Sequence, residues 1–315
     1  MTVSGSDVCV VIPTRDRWDI LRVTLSALGR QDTTGFEVVV VVDGTDQVVP
    51  DLSASARGLA LRTVQQERTG PGGARNVGAA VTSRSLLLLL GDDMVPTRSL
   101  VGRHLDGHRA DTGEEVAVLG HVEWHRAVRR TGLIRWIDRS LTQFDFGITD
   151  GAEAGWGRFY SCNVSLKRTF FEAAGGFDPQ FRFDYEDLDL GFRLAERGLR
   201  IRYDRSALVH HLHPYRLDRL RDRYRSRGEA EWLMAKKHDW FRPFFGDLLR
   251  DAAGRPPTGR WWPALAAATP ETLLRRRGPV AGRIRTGADL WYRQQVAAAY
   301  RAGWESAEAA ANRIG

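Results

Sequence analysis

Short apolar runs alternate with amphipathic stretches over the first hundred residues. Residues 8–12 form a β-branched run that predicts a strand, and the polar stretch Pro13-Thr14-Arg15-Asp16-Arg17 ends it. From about Trp18, Ile20, Leu21, Leu25 and Leu28 recur at the spacing of one helical face. Residues 37–42, nearly all valine, predict a strand buried on both sides, stopping at Asp43-Gly44. Residues 61–65 read as a weaker third strand, and a helix opens at Thr69-Gly70-Pro71 and runs to about Thr82, with Pro71 in its first turn. Residues 86–90 predict a fourth strand that stops at Gly91-Asp92-Asp93.

This βαβαβαβ order predicts an α/β domain with a mostly parallel sheet covered by helices. Ligands bind such sheets beyond the carboxyl ends of the strands. Asp16, Asp43, Asp92 and Asp93 all follow strand ends.

After Pro96 the pattern loosens. Residues 116–122 predict a strand, and residues 123–157 are Trp-, Gly- and charge-rich without a period, as in a loop or a surface facing an acceptor. A strand over 159–166, a helix over 168–174 and a turn at Gly175-Gly176-Phe177-Asp178-Pro179 follow. A helix over 188–197 is closed by Gly198, and a short strand over 201–203 leads to His210-His211-Leu212-His213. Arg-rich helical sequence then continues to the end, broken by Gly and Pro near 254–259 and 278–279.

Charge separates the two parts. Residues 1–213 hold 26 Lys/Arg against 28 Asp/Glu, whereas residues 214–315 hold 20 against 11, so the net +7 lies wholly in the tail. A basic helical tail suits an acidic membrane surface, a phosphorylated acceptor or self-association, and equally an ordinary solvated face. Its aromatics, such as Tyr224, Trp232 and Trp261, are not interleaved as a stacking platform, so no nucleic acid is expected. Two cysteines, Cys9 and Cys162, make neither a disulfide framework nor a zinc pattern. The polar start of the chain has no signal-peptide pattern. A cytoplasmic setting is expected, with contact at a membrane periphery as an option.

Several of these positions can carry chemistry. Adjacent carboxylates at Asp92-Asp93 repel unless a cation lies between them, and hard divalent ions favour one or two carboxylates plus substrate phosphates. Asp43 is either a turn residue or an acceptor of hydrogen bonds from a base or ribose. Gly70-Pro71-Gly72-Gly73-Ala74-Arg75 opens a helix whose N-terminus can face phosphate, with Arg75 adding charge. Asp187, in Tyr185-Glu186-Asp187, is either an N-cap or a general base on a rigid helix start. His210, His211 and His213 are loop residues or, for one of them, part of a metal site; imidazole suits Mn²⁺ better than Mg²⁺.

In order along the chain, Val-Val-Ile-Pro-Thr-Arg-Asp-Arg (10–17), Val-Val-Asp-Gly (41–44), Gly-Gly-Ala-Arg-Asn-Val-Gly (72–78), Leu-Leu-Gly-Asp-Asp (89–93), Asn-Val-Ser-Leu (163–166), Gly-Gly-Phe-Asp (175–178) and Glu-Asp-Leu-Asp-Leu-Gly-Phe-Arg-Leu (186–194) resemble the inverting glycosyltransferases of family 2, which have the GT-A fold. The resemblance covers about residues 7–213. It implies a catalytic domain over 1–213, with a nucleotide-sugar half over about 1–95 and an acceptor half over about 96–213, followed by a helical extension over 214–315. It further implies that Asp43 reads the base, that Pro13, Arg15, Arg17, Arg75 and Asp92 line the nucleotide pocket, and that Asp93 and His211 hold Mn²⁺ or Mg²⁺, with His210 and His213 as alternatives to His211. Asp187 would deprotonate the acceptor hydroxyl and Glu186 would orient substrate. The family often shows Asp-x-Asp, whereas this chain has the adjacent pair Asp92-Asp93. A UDP-sugar donor is expected, and the acceptor is a carbohydrate, a lipid-linked intermediate or a small molecule. The competing enzyme reading, a sugar-1-phosphate nucleotidyltransferase, expects a Gly-rich phosphate loop after the first strand, and residues 13–17 contain no glycine. A non-catalytic nucleotide-sugar-binding protein would have no need of Glu186-Asp187.

Overall fold

The computed structural model describes residues 3–140, 143–274 and 278–313. The chain divides into two compact units, the first Met1–Val128 with Phe146–His213, the second Arg129–Asp145 with Pro214–Gly315.

The first unit runs β1 (Val8–Thr14), α1 (Trp18–Leu28), β2 (Glu37–Asp43), β3 (Ala60–Gln66), α2 (Pro71–Ala80), β4 (Leu86–Leu90), β5 (Met94–Pro96), α3 (Leu100–Ala110) and β6 (Val116–Trp124). After α4 (Gly132–Ser140), which belongs to the second unit, come β7 (Glu153–Ala154), β8 (Asn163–Lys167), α5 (Arg168–Ala173), α6 (Glu186–Ala195) and β9 (Arg200–His211). The strands form one sheet in the order β3-β2-β1-β4-β8-β6-β9-β5, with β7 also on β9. From β3 to β4 the pairing is parallel, with Val11 opposite both Val39 and Leu89. Strand β8 enters antiparallel between β4 and β6, β6 and β9 are parallel, and β5 and β7 lie antiparallel to β9.

The apolar runs explain the centre of this sheet. Strands β1 and β4 are buried at every residue, as strands covered on both faces must be. Cys9, Val11, Val39, Leu87 and Leu89 join Leu119, Val164, Phe170, Phe177 and Leu190 in one cluster. Each such side chain contributes about 1.5–3 kcal/mol by leaving water.

A bulge sets the direction of β9. Its register on β6 jumps between Gly120, opposite Asp204, and His121, opposite Leu208. Asn163 Nδ2 donates to the carbonyls of Ala207 (2.9 Å) and His121 (3.1 Å) freed there. Behind it, His104 Nε2 pairs with Asn163 Oδ1 at 3.0 Å and His104 Nδ1 with Ser165 Oγ at 2.8 Å. Burial pushes His104 down to about 4, so this core imidazole is neutral. Bulges of this kind bend a strand and re-aim its end. Past the bend, β9 pairs with β5 and carries His211 opposite Met94.

Several elements differ from the sequence expectation. Strand β9 spans twelve residues rather than 201–203, so His210 and His211 stand on a strand, not in a loop. Its alternation of Arg200, Arg202, Asp204 and Arg205 with apolar residues hides a strand that has one polar face. Helix α6 begins at Glu186, which puts Glu186 and Asp187 in its first turn, and its N-cap is Tyr185 in the left-handed region (φ 67°). Asp187 is therefore not a cap. Strand β8 starts at Asn163, because residues 156–158 form a tight helical turn, and Cys162 precedes it. The stretch 123–157 contains α4 and β7.

The second unit adds to α4 the helices α7 (Leu217–Lys237), α8 (Phe244–Ala253), α9 (Trp261–Ala268), α10 (Glu271–Leu274) and α11 (Pro279–Ala311). Gly228 and Gly303 let α7 and α11 touch backbone to backbone: a Cβ on Gly228 would lie 2.1 Å from the Tyr300 carbonyl, and one on Gly303 1.9 Å from that of Arg225. The buried Glu231 accepts from the amides of Phe245 (2.8 Å) and Gly246 (3.1 Å) and from the Tyr300 hydroxyl. A carboxylate at that helix start also offsets its positive end. Trp136 of α4 stacks on Tyr292 and donates to Asp289 at 3.0 Å. Among the described residues, no helix is long and apolar enough to cross a membrane.

Candidate active site

The carboxyl ends of β1 and β4 meet the end of β9 in the first unit. Asp92 and Asp93 fill the turn from β4 to β5 and are both buried. Thr14 Oγ1 donates to Asp92 Oδ2 at 2.8 Å, and Thr24 Oγ1 of α1 donates to the Asp92 carbonyl at 2.7 Å. These two threonines fix the turn and were not anticipated, although Thr14 lies inside the 13–17 motif.

Asp93 Oδ2 lies 3.2 Å from His211 Nε2 and 3.0 Å from His213 Nδ1, and the three donor atoms fall within 4.8 Å of one another. The Leu212 amide donates to the Asp93 carbonyl at 2.8 Å, which locks β9 against the turn. His210, one residue before His211, is not in this group; its ring lies 6.3 Å from that of His125. Two imidazoles beside one carboxylate suit Mn²⁺ better than Mg²⁺. The donor set therefore fits a divalent cation.

The titrations of the two carboxylates diverge. Burial, helped by the Asp93 charge, raises Asp92 to about 7 against the pull of Arg17. Burial also raises Asp93, but His211 and Arg17 outweigh it and hold that carboxyl well below the usual range.

A second charged group begins α6. Arg75 of α2 reaches Glu186 Oε1 at 3.5 Å, both side chains buried, and packs its guanidinium over the Phe177 ring. Glu186 Oε2 and Arg75 Nε have no hydrogen-bond partner among the described residues. Buried polar atoms are rarely left unpaired without a function or a missing ligand. Asp187 is partly buried, and burial with the Asp184 charge raises its pKa while the Leu188 and Ser161 amides and Arg75 pull it down. Burial raises the pKa of the Cys162 thiol, and the charges of Asp187 and Asp93 add to it against the pull of Arg75.

The remaining expected residues have other partners. Both Asp43 oxygens accept from the turn before α2: Oδ1 from the Thr69 amide at 2.8 Å and Gln66 Nε2 at 2.9 Å, Oδ2 from the Gly70 amide at 2.9 Å. Gly70 has φ 94°, and a Cβ there would lie 1.9 Å from the Arg182 carbonyl, so only glycine serves. Arg15 pairs with its neighbour Asp16 at 3.7 Å, and Pro13 lies inside β1 opposite Val41. Arg17 grips both turn carboxylates, with Nη1 3.0 Å from Asp92 and Nη2 2.6 Å from Asp93.

Glu186 yields a stability prediction. Burial first, then the Asp187 charge, raise it from the usual 4.5 to about 8. Between those values the folded chain keeps a proton that the unfolded chain has released, so stability falls as pH rises through that window. Glu186→Gln removes this titration. The variant is expected to gain on the order of 1–2 kcal/mol over wild type at pH 8.5 and far less at pH 5. Melting curves that stay parallel at both pH values would mean Glu186 is ionised in the folded protein.

A parallel half-sheet with carboxylates beyond its strand ends, joined by an antiparallel strand to a second half, makes an α/β domain of the kind that binds ligands at those strand ends. The profile of glycosyltransferase like family 2 matches residues 6–228, and the chain belongs to that family. It is 35% identical over 219 residues to a validoxylamine A glucosyltransferase of Streptomyces hygroscopicus subsp. jinggangensis, covering 60% of this chain and 51% of that protein. It is 29% identical over 215 residues to the pre-mycofactocin glycosyltransferase of Mycobacterium tuberculosis, covering 67% of this chain and 43% of the relative. The chain thus spans about half the length of such relatives. Among solved structures, the mannosyltransferase PcManGT of Pyrobaculum calidifontis, in complex with GDP-Man and Mn²⁺, superposes with a TM-score of 0.57 at 20% identity, over 96% of this chain and 87% of that one. TarS 1–349 of S. aureus in complex with UDP gives 0.54 at 15% identity, over 94% and 91%. At these identities the likeness is one of fold.

Proposed function

We propose that the chain transfers a sugar from a nucleoside-diphosphate sugar, UDP-linked in the first instance, to an acceptor hydroxyl with inversion. The carrying observation is the Asp93–His211–His213 donor set, with the buried Arg75–Glu186 pair at the start of α6 in the same unit. The complexes of fold relatives with UDP and with GDP-Man and Mn²⁺ support a nucleotide-sugar donor, and the names of the curated relatives support glycosyl transfer.

As the bond to the diphosphate breaks, negative charge grows on the leaving phosphate and positive charge on the anomeric carbon. A divalent ion held by Asp93, His211 and His213 would supply Lewis-acid stabilisation of the phosphate. Arg75 would add a second positive charge. Asp187, raised by burial, takes the proton from the acceptor hydroxyl, and attack from the face opposite the phosphate inverts the centre. Glu186, protonated up to about 8, presents a carboxyl proton to a substrate oxygen from its unpaired Oε2.

Thermal melting with UDP, dTDP, GDP and ADP, each with Mn²⁺ and again with EDTA, tests the donor and the metal together. One nucleotide is expected to raise the melting temperature by several degrees, and EDTA to remove most of the rise, because a ligand that binds only the native state stabilises it. Equal melting with all four would overturn the nucleotide reading.

A further inference from the structure

A cation already lies on the donor set. Arg17 Nη2 is 2.6 Å from Asp93 Oδ2 and 3.3 Å from His213 Nδ1, two of the three atoms proposed to hold the metal, and Nη1 reaches Asp92 Oδ1 at 3.0 Å. A guanidinium is always charged, and its fork matches neighbouring carboxylate oxygens. It has no lone pair, so it cannot join a coordination shell. Two cations cannot share one carboxylate oxygen at bonding distance without strong repulsion. His213 Nδ1, 3.3 Å from Arg17 and 3.0 Å from Asp93 Oδ2, is also the atom that must be free of its proton to bind a metal.

Local backbone geometry aims the side chain. Asp16 holds the left-handed region at φ 54°, uncommon for a non-glycine residue, and is tied down by the Thr45 hydroxyl. Arg17 follows as the N-cap residue of α1, and its side chain makes no capping bond. The Arg17 side chain is 32% exposed, against 7% and 10% for the carboxylates it grips, so it reaches them from the solvent side.

Resting on the nucleotide-sugar reading, we propose that Arg17 is a placeholder cation. It neutralises the Asp92–Asp93 turn before the metal arrives, leaves Asp93 and His213 when the ion enters, and turns to the diphosphate that comes with it. The charges favour this exchange. Two carboxylates balance a divalent ion alone, which leaves the guanidinium surplus beside the ion and attracted to the phosphates. Metal and nucleotide then bind cooperatively, each raising the affinity of the other by the same factor.

The test is Mn²⁺ binding to the full chain, read from the EPR signal of free Mn²⁺, without nucleotide and with saturating UDP. In wild type, UDP is expected to tighten Mn²⁺ strongly. Arg17→Gln is expected to bind Mn²⁺ about tenfold tighter than wild type without UDP, and to lose most of the tightening by UDP. Arg17→Lys, which keeps the charge but not the fork, should fall between them and guards against a folding defect in the first variant. Mn²⁺ affinity that is unchanged or weaker in Arg17→Gln, with the UDP effect intact, overturns the proposal. An Asp93→Asn protein that binds Mn²⁺ as well as wild type would overturn the metal reading itself, a separate result.

Discussion

Asp187→Asn is expected to lower the rate of sugar transfer roughly 10²–10⁴-fold, the usual worth of a positioned general base. Nucleotide affinity should stay within about twofold, because the amide keeps the size and place of the carboxylate in the first turn of α6. Asparagine cannot take a proton, and its effect should fall on turnover rather than on donor binding. The raised pKa of Asp187, caused first by burial, also predicts that the acidic limb of the rate profile lies above the ordinary aspartate range of about 3.9. Steady-state kinetics over pH 4–9 and calorimetric titration with UDP separate these effects. Turnover that survives in the variant would remove Asp187 as the base, and would favour a carboxylate that only orients the acceptor.

Asp93→Ala carries the second large effect, on the order of 100-fold in Mn²⁺-dependent UDP affinity, because it removes a carboxylate that His211, His213 and Arg17 share. The variant should also be less stable at neutral pH. His211 and Arg17 overcome burial and keep Asp93 ionised far below its usual value, and such a group stabilises the fold at all pH values above that usual range. The informative quantity is therefore the ratio of UDP affinity in Mn²⁺ to that in EDTA, measured within each protein. A ratio that Asp93→Ala leaves unchanged would exclude Asp93 from the metal.

Most of the parallel half was legible because β1, β2 and β4 are buried on both faces and read as plain runs, the valines of β2 and the leucines of β4 above all. The second half was less legible, for local reasons. His104 and His108 occupy buried positions on α3 and break its apolar period. Strand β5 has three residues, too few for a pattern, and β9 hides behind its charged face. The site divided the same way. Asp92 and Asp93 stand out because a strand stops at them, whereas the approach of His213 to Asp93 depends on a bulge some six residues upstream that has no sequence signature. The role of Thr14 follows only from the depth at which β1 ends.

Because His211 stands on a strand paired residue against residue, opposite Met94, which follows Asp93 directly, site geometry is a matter of counting along the chain. Inserting or deleting a single residue between Leu208 and His211 would turn the imidazole to the other side of the sheet, since side chains alternate along a strand. Length variation in this lineage should therefore be purged from the last four residues of β9, yet be readily accepted in the exposed stretch 46–51 between β2 and β3, where no ladder sets the count.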